Sequence, residues 1–363
     1  MRPKVFYTSM KATPEMNLLK KLEILLEKVG ISEIINPGEL VAIKLHFGEP
    51  GNLAFIRPQY VKVVVDKVKS LGGKPFLTDT NTLYHGKRSN AVDHIESALF
   101  NGFSYTTVGA PIVIADGLRG NEEVEVEVNL KHIKKAKIGS AIVYADALIA
   151  LTHFKGHVST GFGGTLKNVG MGCASRAGKL EQHSTSKPYV DEKRCVACGV
   201  CEKNCPVGAI KVEKHAMIDY DVCIGCGECV AVCIYGGMNP RWDESSDILS
   251  EKIAEYAYAV MKTKKDKCLF VSFVVDVSPD CDCASWNDLP IVPNLGILAS
   301  KDPVALDQAC VDLVNKAPVL IDPKAQGDPF KFVHPNVDWR KQLEHGEEIG
   351  LGSREYELVK IGI

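Results

Sequence analysis

The stretch Cys195-Val-Ala-Cys198-Gly-Val-Cys201-Glu-Lys-Asn-Cys205-Pro206 recurs further on as Cys223-Ile-Gly-Cys226-Gly-Glu-Cys229-Val-Ala-Val-Cys233. Two residues between cysteines let a tightly curled loop aim three thiolates at one cubic cluster, while the fourth, three residues further on, points away toward another. The pattern reads as iron–sulfur. The offset is 28 residues for every cysteine pair, and Val190, Asp191, Gly208 and Ile210 map onto Ile218, Asp219, Gly236 and Met238, so the segment is an internal repeat. The plainer alternative is a pair of zinc sites, because paired Cys-x-x-Cys also describes structural zinc. Zinc takes four ligands per site, which leaves the third and fourth cysteines of each half superfluous. A disulfide framework is disfavoured, since nothing at the N-terminus reads as a secretion signal.

From Lys187 to Met238 the chain resembles the bacterial two-cluster ferredoxins. That resemblance implies two 4Fe-4S clusters, one held by Cys195, Cys198, Cys201 and Cys233, the other by Cys205, Cys223, Cys226 and Cys229. The second half departs from the family pattern, with Ile234 where the first has Pro206. Eight cysteines give every iron a full thiolate set, so the clusters read as wires and the reaction site lies elsewhere.

The 363 residues leave room for a large α/β domain plus a small module. A net charge of −2 announces no nucleic acid or anionic membrane as partner. No segment approaches the run of roughly 18 apolar residues that a membrane helix needs, and a cytoplasmic location is expected. Thirteen cysteines there imply reduced thiols and metal.

Apolar runs alternate with segments of helical period, which predicts an α/β fold: a largely parallel sheet with flanking helices, interrupted by the small cluster module. The runs are Val41 to Phe47, Pro75 to Asp79, Pro111 to Asp116, Ala147 to His153, Leu269 to Val277 and Leu295 to Ala299. Thr13 with Pro14, Pro58, Asn90 and Asp302 with Pro303 signal helix starts. Glu123 to Val128 alternates acid and valine as an edge strand does. Gly178 to Pro188 reads as a linker, and Lys262, Lys264, Lys265 and Lys267 as a solvated helix end. The predicted units are 1–186 and 239–363 of the α/β domain, with 187–238 inserted between them.

In open parallel sheets ligands bind outside the carboxyl ends of the strands, where every strand delivers its loop to one rim. The candidates there are His46, Asp79, Tyr84, His85, Asp116, His153, His157 and Lys167. Lys155 and Lys167 suit a substrate carboxylate or phosphate. The glycines at 161, 163 and 164 let backbone approach a ligand, yet neither the phosphate-loop nor the dinucleotide pattern is present. Cys281-Asp-Cys283, with Cys173 and a histidine such as His153, are candidate ligands of an additional metal ion. His153 and His157, four apart, suit a shared helix face, although Gly156 between them argues for a loop.

The segments Lys44 to Gly48, Leu77 to Tyr84 with Arg88, Ala115 to Leu118, Thr152 to His157, Gly161 to Gly172, Asp280 to Cys283 and Gly296 to Gln308 resemble domain-of-unknown-function family 362, in the subgroup carrying an inserted ferredoxin-type domain. The resemblance implies that these segments travel with the two-cluster module. The expected protein is a redox enzyme whose clusters pass electrons between an external carrier and a small molecule or metal at the rim. With no flavin or nicotinamide fingerprint, the carrier is expected to be a redox protein of ferredoxin or flavodoxin type. The alternatives are a non-enzymatic electron carrier and a metal-handling or cluster-delivery protein.

Overall fold

The computed structural model describes residues 2–84, 86–184, 187–225 and 227–362, with backbone alone for Ala231. Eight strands form the main sheet: β1 (Lys4–Ser9), β2 (Leu40–Lys44), β3 (Lys74–Asp79), β4 (Ile112–Ile114), β5 (Ala147–His153), β6 (Cys268–Val274), β7 (Gly296–Ser300) and β8 (Glu357–Lys360). Their order is β8-β1-β7-β6-β5-β2-β3-β4. Only β7 runs against its neighbours β1 and β6, and the other pairs are parallel. The architecture is mixed α/β with a mostly parallel sheet, as the alternating pattern predicts.

Both faces of the sheet are covered, which is why its central strands read as continuous apolar runs. On one face Val41, Ile43, Ile149, Val271 and Phe273 pack against the helices Leu18–Lys28 and Pro58–Ser70. On the other, Ala42, Leu148, Ala150 and Phe270 pack against Ser246–Lys262, Pro303–Lys316 and Arg340–Glu348. Successive side chains thus feed two cores.

Helix starts follow the predicted chemistry. Pro58 and Pro303 occupy first-turn positions, Asp302 Oδ1 accepts the Ala305 N–H at 2.8 Å, and Asn90 Oδ1 accepts that of Asp93 at 3.1 Å. The first helix begins later than Thr13 predicts. Thr13 and Met16 close a turn on each other, and Asn17 is the cap.

Three further readings are corrected. Glu123–Glu127 is half-buried as expected but pairs with Lys135–Gly139 in its own two-stranded ribbon, away from the main sheet. The supposed linker opens as the helix Arg176–His183, with Gly178, Lys179, Leu180 and Gln182 buried; Thr185 and Ser186 lie outside the described residues. Lys264 is buried, donating to the carbonyls of Val143 and Ala145 at 3.0 and 2.6 Å. Those carbonyls lie at the end of the helix Ser140–Tyr144, where a cation is favourable.

The cysteine-rich segment sits in the connection from β5 to β6, two adjacent parallel strands. Tyr189–Val190 pairs with Met238–Asn239, bringing its ends together, and Ile210–Val212 pairs with Ala216–Ile218. Its short helices Val200–Lys203 and Glu228–Val232 start 28 residues apart, in step with the sequence repeat. Among the described residues no helix is long and apolar enough to cross a membrane.

Candidate functional site

Lys44 ends β2 inside the protein, with 1% of its surface exposed. Burying a lone ammonium is prohibitive, so its partners define the place. Its Nζ lies 3.0 Å from Asp79 Oδ1 at the end of β3 and donates to Asn168 Oδ1 at 2.7 Å. Gly172 is required beside it, since a Cβ there would stand 2.5 Å from Nζ. Arg88 reaches the same carboxylate at 3.6 Å, donates to Glu49 Oε2 at 2.8 Å and donates a second bond to the Tyr84 hydroxyl. Burial resists charge on Asp79, but Lys44, His94, His46 and Arg88 hold it well below the usual carboxylate range. Burial, helped by Arg88, pushes His46 down to about 3, and its Nδ1 accepts the Gly48 N–H at 3.0 Å. The hydroxyl of Tyr84 donates to the Cys283 carbonyl at 3.3 Å, and burial raises it well above the ordinary phenol.

Beyond β5 the chain turns into a small hairpin, Lys155–His157 against Gly161–Gly163. This is neither the shared helix face nor the open loop weighed from sequence. Gly156 N–H donates to Ser278 O at 2.8 Å, and a Cβ on Gly156 would sit 1.9 Å from Pro279 O. Only glycine permits that approach. It brings His157 to the turn after β6, where the ligand atoms of His157, Cys281 and Cys283 lie within 4.8 Å of one another.

The Cys283 amide donates to Cys281 Sγ at 3.4 Å. A hydrogen bond from the Cys283 thiol, with Lys167 and His157 nearby, draws Cys281 below the usual thiol value and leaves Cys283 above it. Burial and Lys167 push His157 down to about 4. His153 stands behind this turn, with Nδ1 2.8 Å from Asp282 Oδ1 and Nε2 2.8 Å from Val275 O. Lys155 Nζ is 3.3 Å from the other oxygen of Asp282.

Lys44, Asp79, Arg88, His157 and the two cysteines open on one cavity of about 300 Å³ at the strand ends. Of the predicted candidates, His46, Asp79, Tyr84, Lys155, His157, Lys167, Cys281 and Cys283 line it. His153 and Asp116 do not. Asp116 is buried, accepting both the backbone and side-chain N–H of Asn81 at 2.9 Å and so fixing the turns after β3 and β4. His85 lies outside the described residues. Cys173 is buried in the main core, where burial pushes its thiol up to about 11, and His157 takes the place beside the thiol pair that the sequence reading offered to His153.

Sequence reasoning missed Lys44, Lys179, His183 and Trp242 as cavity residues. A lysine inside the apolar run Val41 to Phe47 was a readable signal for the first. The other three sit in or beyond the stretch read as linker and carried none.

The helix Arg176–His183 is the wall between this cavity and the cysteine-rich segment. Lys179 and His183 line the cavity, whereas Leu180 packs with Leu83, Cys201, Cys229 and Val230. Gly227 approaches so closely that a Cβ would meet Leu180 Cδ2 at 2.6 Å. Arg176 donates to the carbonyls of Leu83 and Val230 at 3.3 and 3.1 Å, tying the loop after β3 to the segment.

Within the segment, Cys195, Cys198, Cys201 and Cys233 line one small cavity. The sulfurs of Cys195, Cys205 and Cys233 accept the backbone N–H groups of Ala216, Ala209 and Met238 at 3.3, 3.2 and 3.4 Å. Cys226 lies outside the described residues.

The family model described as Domain of unknown function (DUF362) matches residues 41–312. Thylakoid-associated protein sll1697 of Synechocystis sp. (strain ATCC 27184 / PCC 6803 / Kazusa) is 27% identical over 161 residues, which are 43% of this chain and 46% of that protein. The chain thus spans under half the length of that curated relative. Among solved structures, the lactate racemase apoprotein from Thermoanaerobacterium thermosaccharolyticum is similar at a TM-score of 0.39 and 14% identity, over 75% of this chain and 51% of that one. A Thermotoga maritima protein is similar at a TM-score of 0.42 and 12% identity, over 81% and 57%.

Proposed function

We propose that this chain, which belongs to the domain of unknown function (DUF362) family, is an iron–sulfur redox protein whose cysteine-rich segment serves the strand-end cavity. Cys195, Cys198, Cys201 and Cys233 would hold one 4Fe-4S cluster, and Cys205, Cys223, Cys226 and Cys229 the other. Bound clusters supply or accept single electrons. The fit rests on four thiols around one small cavity and on backbone N–H groups directed at three of the sulfurs, since such hydrogen bonds favour the thiolate that a metal ligand must be. The external donor or acceptor is a small redox protein.

The observation that carries the reading is the shared wall. One helix, Arg176–His183, packs against the cysteine-rich segment through Leu180 and lines the cavity with Lys179 and His183. The reacting molecule belongs in that cavity and is an anion. Lys44, Arg88 and Lys155 are neutralised by Asp79, Glu49 and Asp282. Among the described residues that line the cavity, Lys167 and Lys179 have no carboxylate within ion-pair reach; Lys179 donates to the Thr80 hydroxyl and to the Ala174 carbonyl, whereas Lys167 is the cation left for an anionic group. Glycines at 163 and 164 keep the floor low beside it.

The test uses reduced protein kept under argon and follows its visible absorption as reducible anions, 2-oxo and α,β-unsaturated carboxylates that take two electrons and two protons, are added. An acceptor that enters the cavity restores the colour, and Lys167→Ala slows that recovery by about tenfold at unchanged iron content, the worth of one charge-assisted hydrogen bond. Recovery that is indifferent to Lys167, or absent with every anion, removes the cavity from electron exchange and leaves a carrier.

A further inference from the structure

We infer that His157, Cys281 and Cys283 form a mononuclear site for a thiophilic divalent metal, distinct from the eight cysteines of the inserted segment and open to the strand-end cavity. The three ligand atoms lie within 4.8 Å of one another. A tetrahedral zinc-like ion with bonds of about 2.0–2.3 Å holds its ligands about 3.3–3.8 Å apart, so a small inward movement completes the set. Two sulfurs and one imidazole are the donors of zinc and its soft neighbours, whereas calcium and magnesium call for oxygen.

The backbone has been shaped to assemble this trio from two distant stretches of chain. Gly156 allows the hairpin to press on Pro279, and the Gly156 amide fixes the register on Ser278. No comparable constraint is needed for a histidine that only fills space.

Three protein ligands leave a fourth position. All three residues line the cavity, so that position opens on it, the arrangement of a reactive metal rather than a purely structural one. Two thiolates neutralise a divalent ion, and Lys167 beside them favours an anion or a hydroxide as the fourth ligand.

One local consequence follows from tautomer chemistry. His157 Nδ1 accepts the Ser159 N–H at 3.1 Å. A metal on Nδ1 displaces that donor, and a metal on Nε2 requires the ring proton on Nδ1, where it would face the same N–H. Binding through either nitrogen therefore frees the Ser159 amide.

The site does not depend on the cluster reading, because none of its ligands lies in 187–238. Protein purified without oxygen, its iron intact, is equilibrated with zinc chloride, and zinc and iron are measured together on the same sample. About one zinc per chain is expected in the wild type, and below about a tenth in Cys281→Ser and His157→Ala, with iron unchanged. Zinc-edge X-ray absorption should give two sulfurs at about 2.3 Å and one nitrogen at about 2.0–2.1 Å, and amide exchange at Ser159 should accelerate on loading. If the variants do not fold, the wild-type absorption spectrum decides: an all-sulfur shell marks zinc on the segment cysteines and overturns the site. So does a wild type that takes no zinc, or a Cys281–Cys283 disulfide in protein never exposed to oxygen. Iron-free protein that still binds zinc here would contradict the proposed function and leave this site standing.

Discussion

Lys44 concentrates the energetics of the strand ends in one side chain. Its ammonium is within 3.0 Å of Asp79, whose other cationic or titratable neighbours, Arg88 at 3.6 Å and His94 at 3.8 Å, are farther. Removing one partner of a buried pair strands the other charge and costs about 3–5 kcal/mol. Lys44→Met should therefore lower unfolding stability by about that amount, and adding Asp79→Asn should recover part of it, as read from denaturant midpoints. A Lys44→Met change below about 1 kcal/mol would show that Arg88 alone carries the carboxylate.

At this scale the sequence was readable where chemistry broke a pattern. His46 and Asp79 stood at the ends of apolar runs, and Cys281-Asp-Cys283 could hardly be ordinary core. It was unreadable where placement depended on a close backbone approach. Whether His153 or His157 meets the thiols is settled by Gly156 against Pro279, a contact between residues 123 positions apart.

Among elements, the helix Arg340–Glu348 is clasped to Ser246–Lys262 by a titratable contact. His345 Nε2 lies 3.0 Å from the buried Glu255, and its Nδ1 3.2 Å from Glu348. Burial disfavours charge on His345, but the two carboxylates outweigh it and raise its pKa above the ordinary histidine value. A raised histidine contributes stability that is complete below the unfolded pKa, near 6.5, and is lost as pH rises through the folded one. Exposed Glu348 adds little, so the effect rests on Glu255. His345→Gln should cost about 1–2 kcal/mol near pH 6 and progressively less toward pH 9. A difference from wild type that stays constant over that range would mean packing alone joins the helices.

The central strands were legible because two covered faces impose long apolar runs. The edge strand β8 and its neighbour β1 were not: Lys4–Ser9 and Glu357–Lys360 mix polar and apolar residues, as half-exposed strands do. The buried helix Arg176–His183 was hidden for a different reason. Its glycine, lysine and glutamine are polar or small, and they are buried by facing a cavity and the cysteine-rich segment, which no periodicity records.

For the whole molecule, the decisive feature is where the cysteine-rich segment falls. The crossover between β5 and β6 begins at the hairpin carrying His157, runs through the cysteine-rich segment, and returns by Trp242 and the helix Ser246–Lys262 to the strand before Cys281. One excursion of the chain thus supplies the proposed electron path, one wall of the cavity and, at its start, one proposed metal ligand, the other two following β6. The central claim is that this excursion carries two clusters. It is tested most directly by counting iron and acid-labile sulfide per chain in protein purified without oxygen, with a paramagnetic resonance spectrum of the reduced form. The account predicts about eight irons and eight sulfides, a brown colour that bleaches on reduction, and the spectrum of two interacting clusters. A colourless protein, or iron below about four per chain, would contradict it.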